Sequence, residues 1–292
     1  SRSGGSLKSI VARRRLLALV CFAPQAVLSV TVLSPGRLAG RPSPVWRALG
    51  ATGLYFAPVH TRTHDTHRVV RVTERDVFLP VGAQPSLDAL VDQIERAEQL
   101  GYDRAWLPES WGREAATVLA TAAERTEEIG LGTSILNVYS RSPALLGQLA
   151  ASQQEASDGR FRLGVGPSGP IVIENWHGRD FGNPLRHTRE TIEVVKRVLT
   201  GEVVDYDGEY HDLEGFRLRC DPPEPAPPVD AAALGPKAVE LAGRFADGWH
   251  AVNYTRDGLR ERLADLERGA ELGDRSMEDL RVTLSVGCCA LE

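Results

Sequence analysis

From Val77 onward the chain repeats one unit: a short apolar run, a polar loop, then a segment with helix period. The runs fall at residues 77–82, 104–107, 131–136, 161–164, 229–234, 248–251 and 281–288. Helix patterns occupy the intervals at 86–101, 114–128, 143–156, 188–200, 236–246 and 257–272. Parallel strands need a crossover long enough to hold a helix, so this alternation predicts an α/β fold around a parallel sheet. Seven units in a row favour an eightfold (β/α)8 TIM barrel over a doubly wound layer. The sequence ends at Glu292, just after the seventh run. A barrel truncated after the seventh strand is therefore expected, with two strand edges exposed.

The stretch from Gly130 to Pro143 anchors the pattern. Residues 131–136 alternate little, which suits a strand covered on both faces, and Asn137, Tyr139, Ser140 and Arg141 then crowd its carboxyl end. Ser142 precedes Pro143 as the cap of the next helix, just as Ser86 caps the first with Asp88 in its opening turn. Between 202 and 228 the helix period lapses. Residues 203–210 read as a hairpin turning at Asp207-Gly208, and the prolines from Pro222 to Pro228 as a stiff connector.

Charge divides the chain. Residues 1–75 hold 12 of the 34 basic and only 2 of the 39 acidic residues. They read as a basic extension, disordered or preceding the true start, with the barrel domain at 76–292. Arg13-Arg14-Arg15 followed by an apolar run resembles a signal peptide, but Pro24 and Gln25 interrupt it and no clean cleavage site follows. His60, His64 and His67 have metal-ligand spacing in a segment of poor helix formers, and no metal site is expected. The acidic, arginine-rich body offers no basic face for nucleic acid. It suits a salt-rich cytoplasm, or a coding bias towards arginine. Cys21, Cys220, Cys288 and Cys289 lack zinc-type spacing and read as reduced, buried thiols of a cytoplasmic protein. No membrane partner is expected.

Candidate site residues gather at the carboxyl ends of the strands. Gly164-x-Gly166-x-x-Gly169 only weakly matches a dinucleotide fingerprint, because Pro167 and Pro170 interrupt it and no helix is expected to open there. Its backbone N–H groups and Ser168 could still cradle an anion. Gly235-Pro236-Lys237 is the better phosphate site, at a helix N-terminus with one of the three lysines. Glu109 is the carboxylate placed to meet a ligand, and His177 beside Trp176 the candidate pocket histidine. His187, His211 and His250 read as structural histidines. No Ser-His-Asp order, HExxH or paired-carboxylate motif argues for hydrolysis.

From about Asp76 the chain resembles the luciferase-like monooxygenase superfamily, and within it the deazaflavin-dependent oxidoreductases related to methylenetetrahydromethanopterin reductase. The carriers are Ala97-Glu98-x-Leu100-Gly101-Tyr102-Asp103, Trp106-Leu107-Pro108-Glu109 and Gly130-Leu131-Gly132-Thr133 through Tyr139-x-Arg141-x-Pro143. Asp158-Gly159-Arg160-Phe161-x-Leu163-Gly164-x-Gly166 and Ala246-Asp247-Gly248-Trp249 complete the set. The nearest likeness is to a haloarchaeal branch. The resemblance implies a luciferase-type barrel that binds coenzyme F420, with FMN as the alternative, and moves hydride between reduced cofactor and a small organic substrate. It implies a non-prolyl cis peptide at Ser134-Ile135, and cofactor contacts from Ser134, Ile135, Leu136, Asn137, Gly166, Pro167, Ser168, Gly169, Gly235, Pro236 and Lys237. Proton delivery would fall to Glu109 or His177, and a homodimer is the common assembly. The competing readings are an FMN-dependent monooxygenase and a truncated, non-catalytic fragment.

Overall fold

The computed structural model describes residues 27–33, 71–82 and 84–287. Its elements in chain order are β1 (Val27–Leu33), β2 (Arg71–Phe78), α1 (Leu87–Gln99), β3 (Arg104–Leu107), α2 (Ala115–Arg125), β4 (Gly130–Thr133) and β5 (Leu136–Asn137). Next come α3 (Pro143–Ala156), β6 (Phe161–Gly166), α4 (Pro170–Asn175), α5 (Pro184–Leu199), β7 (Val204–Asp207) and β8 (Asp212–Phe216). β9 (Val229–Ala232), α6 (Pro236–Phe245), β10 (Gly248–Val252), α7 (Arg256–Leu272) and β11 (Arg281–Gly287) complete the chain.

Parallel pairing runs β2, β3, β4, then β6, β9, β10 and β11, with β4 against β6. This is the α/β barrel that the alternation of strands and helices predicts. The gap between its first and last parallel strands is not open. β1 lies between β2 and β11, antiparallel to both, pairing Val27 with Phe78 on one side and with Gly287 on the other. Two expectations change here: residues 27–33 form a strand, and the two edges are covered. Neither change is visible locally, because β1 pairs with partners remote in sequence. The proposed boundary at residue 75 falls inside β2.

The helices form where the caps place them. Ser86 accepts from the Ala89 N–H at 3.0 Å, and Gly101, at φ 74°, takes the left-handed turn that ends α1. Leu90, Val91, Ile94 and Ala97 of α1, and Val118, Leu119 and Ala122 of α2, are buried against the barrel. Each large side chain so buried is worth about 1.5–3 kcal/mol. The expected helix at 114–128 is shorter at both ends: Glu114 is its cap, accepting from Ala116 and Thr117, and Thr126 is already extended, with the Glu127 and Glu128 N–H groups bonded to Glu98. The one expected at 188–200 starts earlier, at Pro184 behind the Asn183 cap. The hairpin turns not at Asp207-Gly208 alone but across 208–211, with the Gly208 N–H bonded to the His211 carbonyl.

Inside the barrel the strands carry charge where branched apolar side chains are usual. Asp76, Asp230, His250 and Thr133 are fully buried, and such groups persist only when paired. Trp106 Nε1 and Arg281 both donate to Asp76, while Arg162 grips Asp230 with two donors. Among the described residues no helix is long and apolar enough to cross a membrane. Cys220 is exposed, not buried as expected, because the connector carries it outside the barrel. Cys21, Cys288, Cys289 and the histidines at 60, 64 and 67 lie outside the described residues.

Candidate active site

β4 stops at Thr133 and β5 resumes at Leu136, so the expected continuous strand is broken in two. The bond between Ser134 and Ile135 is cis, where the resemblance places it. Ser134 and Ile135 are half-buried at this break, whereas Leu136 and Asn137 are buried. Asn137 shapes the loop beyond. Its Oδ1 accepts from the Tyr139 and Ser140 N–H groups at 3.1 and 2.7 Å, an Asx turn. Its Nδ2 lies 3.4 Å from Nε2 of His177, so that exposed histidine joins the same mouth.

Glu109 reaches the site through its backbone, donating to the Ile135 carbonyl at 3.2 Å. Its carboxylate is engaged elsewhere: Arg141 binds both oxygens, at 2.5 and 2.7 Å, and also reaches Glu114. The two carboxylates raise the Arg141 guanidinium further above its ordinary range. Glu109 thus ties the loop after β3 to the loop after β5. Above them Trp111 and Trp176 meet edge to face, with ring centroids 4.8 Å apart.

The two glycine loops stand at the carboxyl ends of neighbouring strands. β6 pairs in parallel with β9, and a Cβ on Gly166 would come within 3.2 Å of the Ala232 side chain. Beyond β6 a helix does open: α4 begins at Pro170, contrary to the sequence reading. A missing N–H costs nothing at the first helical position. Gly169 before α4 and Gly235 before α6 cap their helices without a side-chain bond. A side chain at either would project into open space. Lys237 is exposed in the first turn of α6, with no ion pair among the described residues. A positive, unoccluded helix N-terminus beside Gly166, Pro167 and Ser168 suits an anionic group, so these residues fit the phosphate-bearing tail of a deazaflavin or flavin cofactor.

Two buried side chains, His250 and Asp230, lie beneath Ser134, and nothing in the sequence assigns them to the site. Ser134 Oγ is 3.0 Å from His250 Nδ1, and His250 Nε2 is 3.3 Å from Asp230 Oδ2. A serine, a histidine and an aspartate are therefore linked in space though no motif announced it. Burial alone would raise the Asp230 carboxyl, but Arg162 and the His250 ring hold it below the usual carboxylate range. The signal available in sequence was a charge in each of two buried strands, Arg162 in β6 and Asp230 in β9, each of which demands a partner.

A cavity of about 500 Å³ opens at the opposite, amino end of the strands, lined by Arg162, Lys196, Asp247 and Arg281. Its charges are spent on structure. Lys196 pairs with Asp247 at 2.7 Å, and Asp247 accepts from the Val229 N–H.

Residues 55–292 match the family described as luciferase-like monooxygenase. A Mycobacterium tuberculosis protein named as a coenzyme F420-dependent oxidoreductase is 34% identical over 191 residues, covering 60% of this chain and 53% of that protein. An F420-dependent glucose-6-phosphate dehydrogenase of Amycolatopsis mediterranei is 30% identical over 216 residues, covering 68% of this chain and 63% of its own length. The structure of the coenzyme F420-dependent tetrahydromethanopterin reductase of Methanopyrus kandleri superposes with a TM-score of 0.64 at 24% identity. That likeness in fold covers 71% of this chain and 63% of the other. The chain thus spans between half and two thirds of the length of these relatives. With its barrel, its broken third parallel strand and a match over most of its length, the chain belongs to the luciferase-like monooxygenase family.

Proposed function

We infer that this chain is a coenzyme F420-dependent oxidoreductase acting on a small organic molecule. The observation that carries this is the pairing of two glycine-capped helix N-termini, one bearing Lys237, with the half-buried ledge at Ser134-Ile135. Relatives named for coenzyme F420 along 60–68% of the chain add to it. When bound, the deazaflavin supplies hydride transfer to or from an electron-poor carbon. The protein holds its anionic tail at Gly235, Pro236 and Lys237 and at Gly166–Gly169, and its ring against Ser134 and Ile135. Leu136 and Asn137 serve from below, as the buried support of that ledge.

The exposed Trp111–Trp176 pair gives the mouth an apolar, aromatic rim for substrate. His177, exposed beside Asn137, is the group placed to exchange a proton with substrate. Glu109 orients the two loops through Arg141. A reducing, cytoplasmic setting suits the free, exposed Cys220.

Fluorescence titration with coenzyme F420, and with FMN in parallel, tests the proposal. Saturable binding of F420 alone is the expected result. Binding of FMN alone would move the chain to the monooxygenases named in its family. Binding of neither, in a chain that circular dichroism shows to be folded, would support a non-catalytic fragment.

A further inference from the structure

Asp230 and His250 lie on β9 and β10, at 0% and 1% exposure, with Ser134 half-buried above them. The ring of His250 has little freedom. Trp106 meets it edge to face at 4.6 Å, and Trp106 is itself held by Asp76 and packed where Gly132 has no side chain. On the other side, a Cβ at Gly164 would stand 3.3 Å from His250 Nε2. Arg162 fixes the Asp230 carboxylate with two bonds, at 3.0 and 2.5 Å.

These contacts set the direction of every proton in the chain. An ionised carboxylate only accepts, so the hydrogen shared with Asp230 belongs to Nε2 of His250. In that tautomer the lone pair lies on Nδ1, and the Ser134 hydroxyl donates to it. That spends the only proton of Ser134 inward. What remains towards the mouth is an oxygen with lone pairs.

We propose that His250 is a positioning residue, fixed by Asp230 and Arg162, that turns the Ser134 hydroxyl into an obligate hydrogen-bond acceptor at the mouth. The group it receives is an N–H or O–H of the ligand heterocycle, not a carbonyl. The proposal rests on the cofactor reading for the identity of that ligand, but not for the orientation of Ser134.

Two measurements test it together. Nitrogen-15 histidine spectra of the free protein, with His250 assigned by its loss in H250Q, report which ring nitrogen carries the proton. The Nε2–H form is expected, and an Nδ1–H form overturns the proposal whatever binds. Titration with F420 then compares variants, with circular dichroism and thermal unfolding on each. His250→Gln can donate to Asp230 and accept from Ser134, so it should stay within about threefold of the wild type. His250→Leu and Ser134→Ala should each weaken binding about tenfold, the worth of one hydrogen bond. The double variant should lose no more than either single, because both break the same link.

Independent, multiplying losses overturn the proposal, as do affinities for S134A and H250L within twofold of the wild type. Labelling of Ser134 by a fluorophosphonate also overturns it, since the hydroxyl would then be a nucleophile. Failure of the wild type to bind F420 alongside an intact Nε2–H form refutes the cofactor reading and leaves the orientation of Ser134 supported.

Discussion

Replacing Glu190 by Gln should loosen the hairpin that walls the site. Glu190 lies on α5 with 0% exposure. Its carboxylate accepts from Arg186 at 2.9 Å and from the N–H groups of Glu209 and Tyr210 at 3.1 and 2.8 Å. These bonds pin the turn between β7 and β8, and through it Tyr210, which stacks on His187 at 4.7 Å. His187 in turn meets Tyr139 at 4.3 Å, just beyond the Asn137 turn. Burial alone would raise the Glu190 carboxyl, but the Tyr210 N–H, Arg186 and the Glu209 N–H bring it down to about 2. A drop of that size from 4.5 is worth roughly 3 kcal/mol, and about 2 kcal/mol after allowing for the water that screens the half-exposed Arg186. Glutamine keeps the shape but sets an NH₂ against donors.

E190Q should therefore lose about 2 kcal/mol at pH 7, with faster hydrogen exchange at the Glu209 and Tyr210 amides. A depressed carboxylate pKa stabilises the fold above pH 4.5, and that contribution fades as pH falls towards 2. The gap between wild type and variant should narrow over that range in urea titrations followed by tryptophan fluorescence. A loss at pH 7 below about 0.5 kcal/mol, or a gap that is the same at pH 7 and pH 3, refutes this account.

Burial, then the neighbouring His211, lowers His187 from 6.5 to about 4. Stability held by the neutral ring above pH 6.5 should thus drain away as pH falls towards 4, by on the order of 2–3 kcal/mol, and His187→Phe should flatten that slope in the same urea series. At Gly164 an added Cβ would sit 2.1 Å from the Thr133 carbonyl. Gly164→Ala should cost about 3 kcal/mol or more, read as a fall in melting temperature, and a neutral result would mean that β4 and β6 are further apart. Lys237→Gln should weaken F420 binding roughly fivefold in low salt, with little difference in multimolar salt where screening removes the charge term. Equal loss at both salts would assign Lys237 a packing role instead.

Most of the frame was legible because it is written locally. Ser86 and Ser142 mark helix starts, Gly101 marks a stop, and the flat apolar run before Asn137 marks a strand covered on both faces. Long-range pairing was not legible. Nothing in residues 27–33 says that they belong between β2 and β11. Pro170 looks like a breaker in the sequence, yet a proline at the first helical position is harmless. The link from Asp230 to Ser134 escaped notice for a related reason: its members come from three separate units and meet only once the barrel forms. His250, read as merely structural, is the middle of that link. Glu109 stood out as a loose carboxylate, but the Arg141 that occupies it lies 32 positions along the chain.

The place of β1 carries a consequence in time. It pairs with a strand made roughly 250 residues later, which at ~5–20 residues per second leaves it waiting for tens of seconds on a translating ribosome. During that wait the edge destined for β11 is open to any other strand nearby. Protein yield should then depend on how fast the message between β1 and β11 is translated, and on whether a chaperone occupies that edge first. The ring can be completed only when its most distant member arrives.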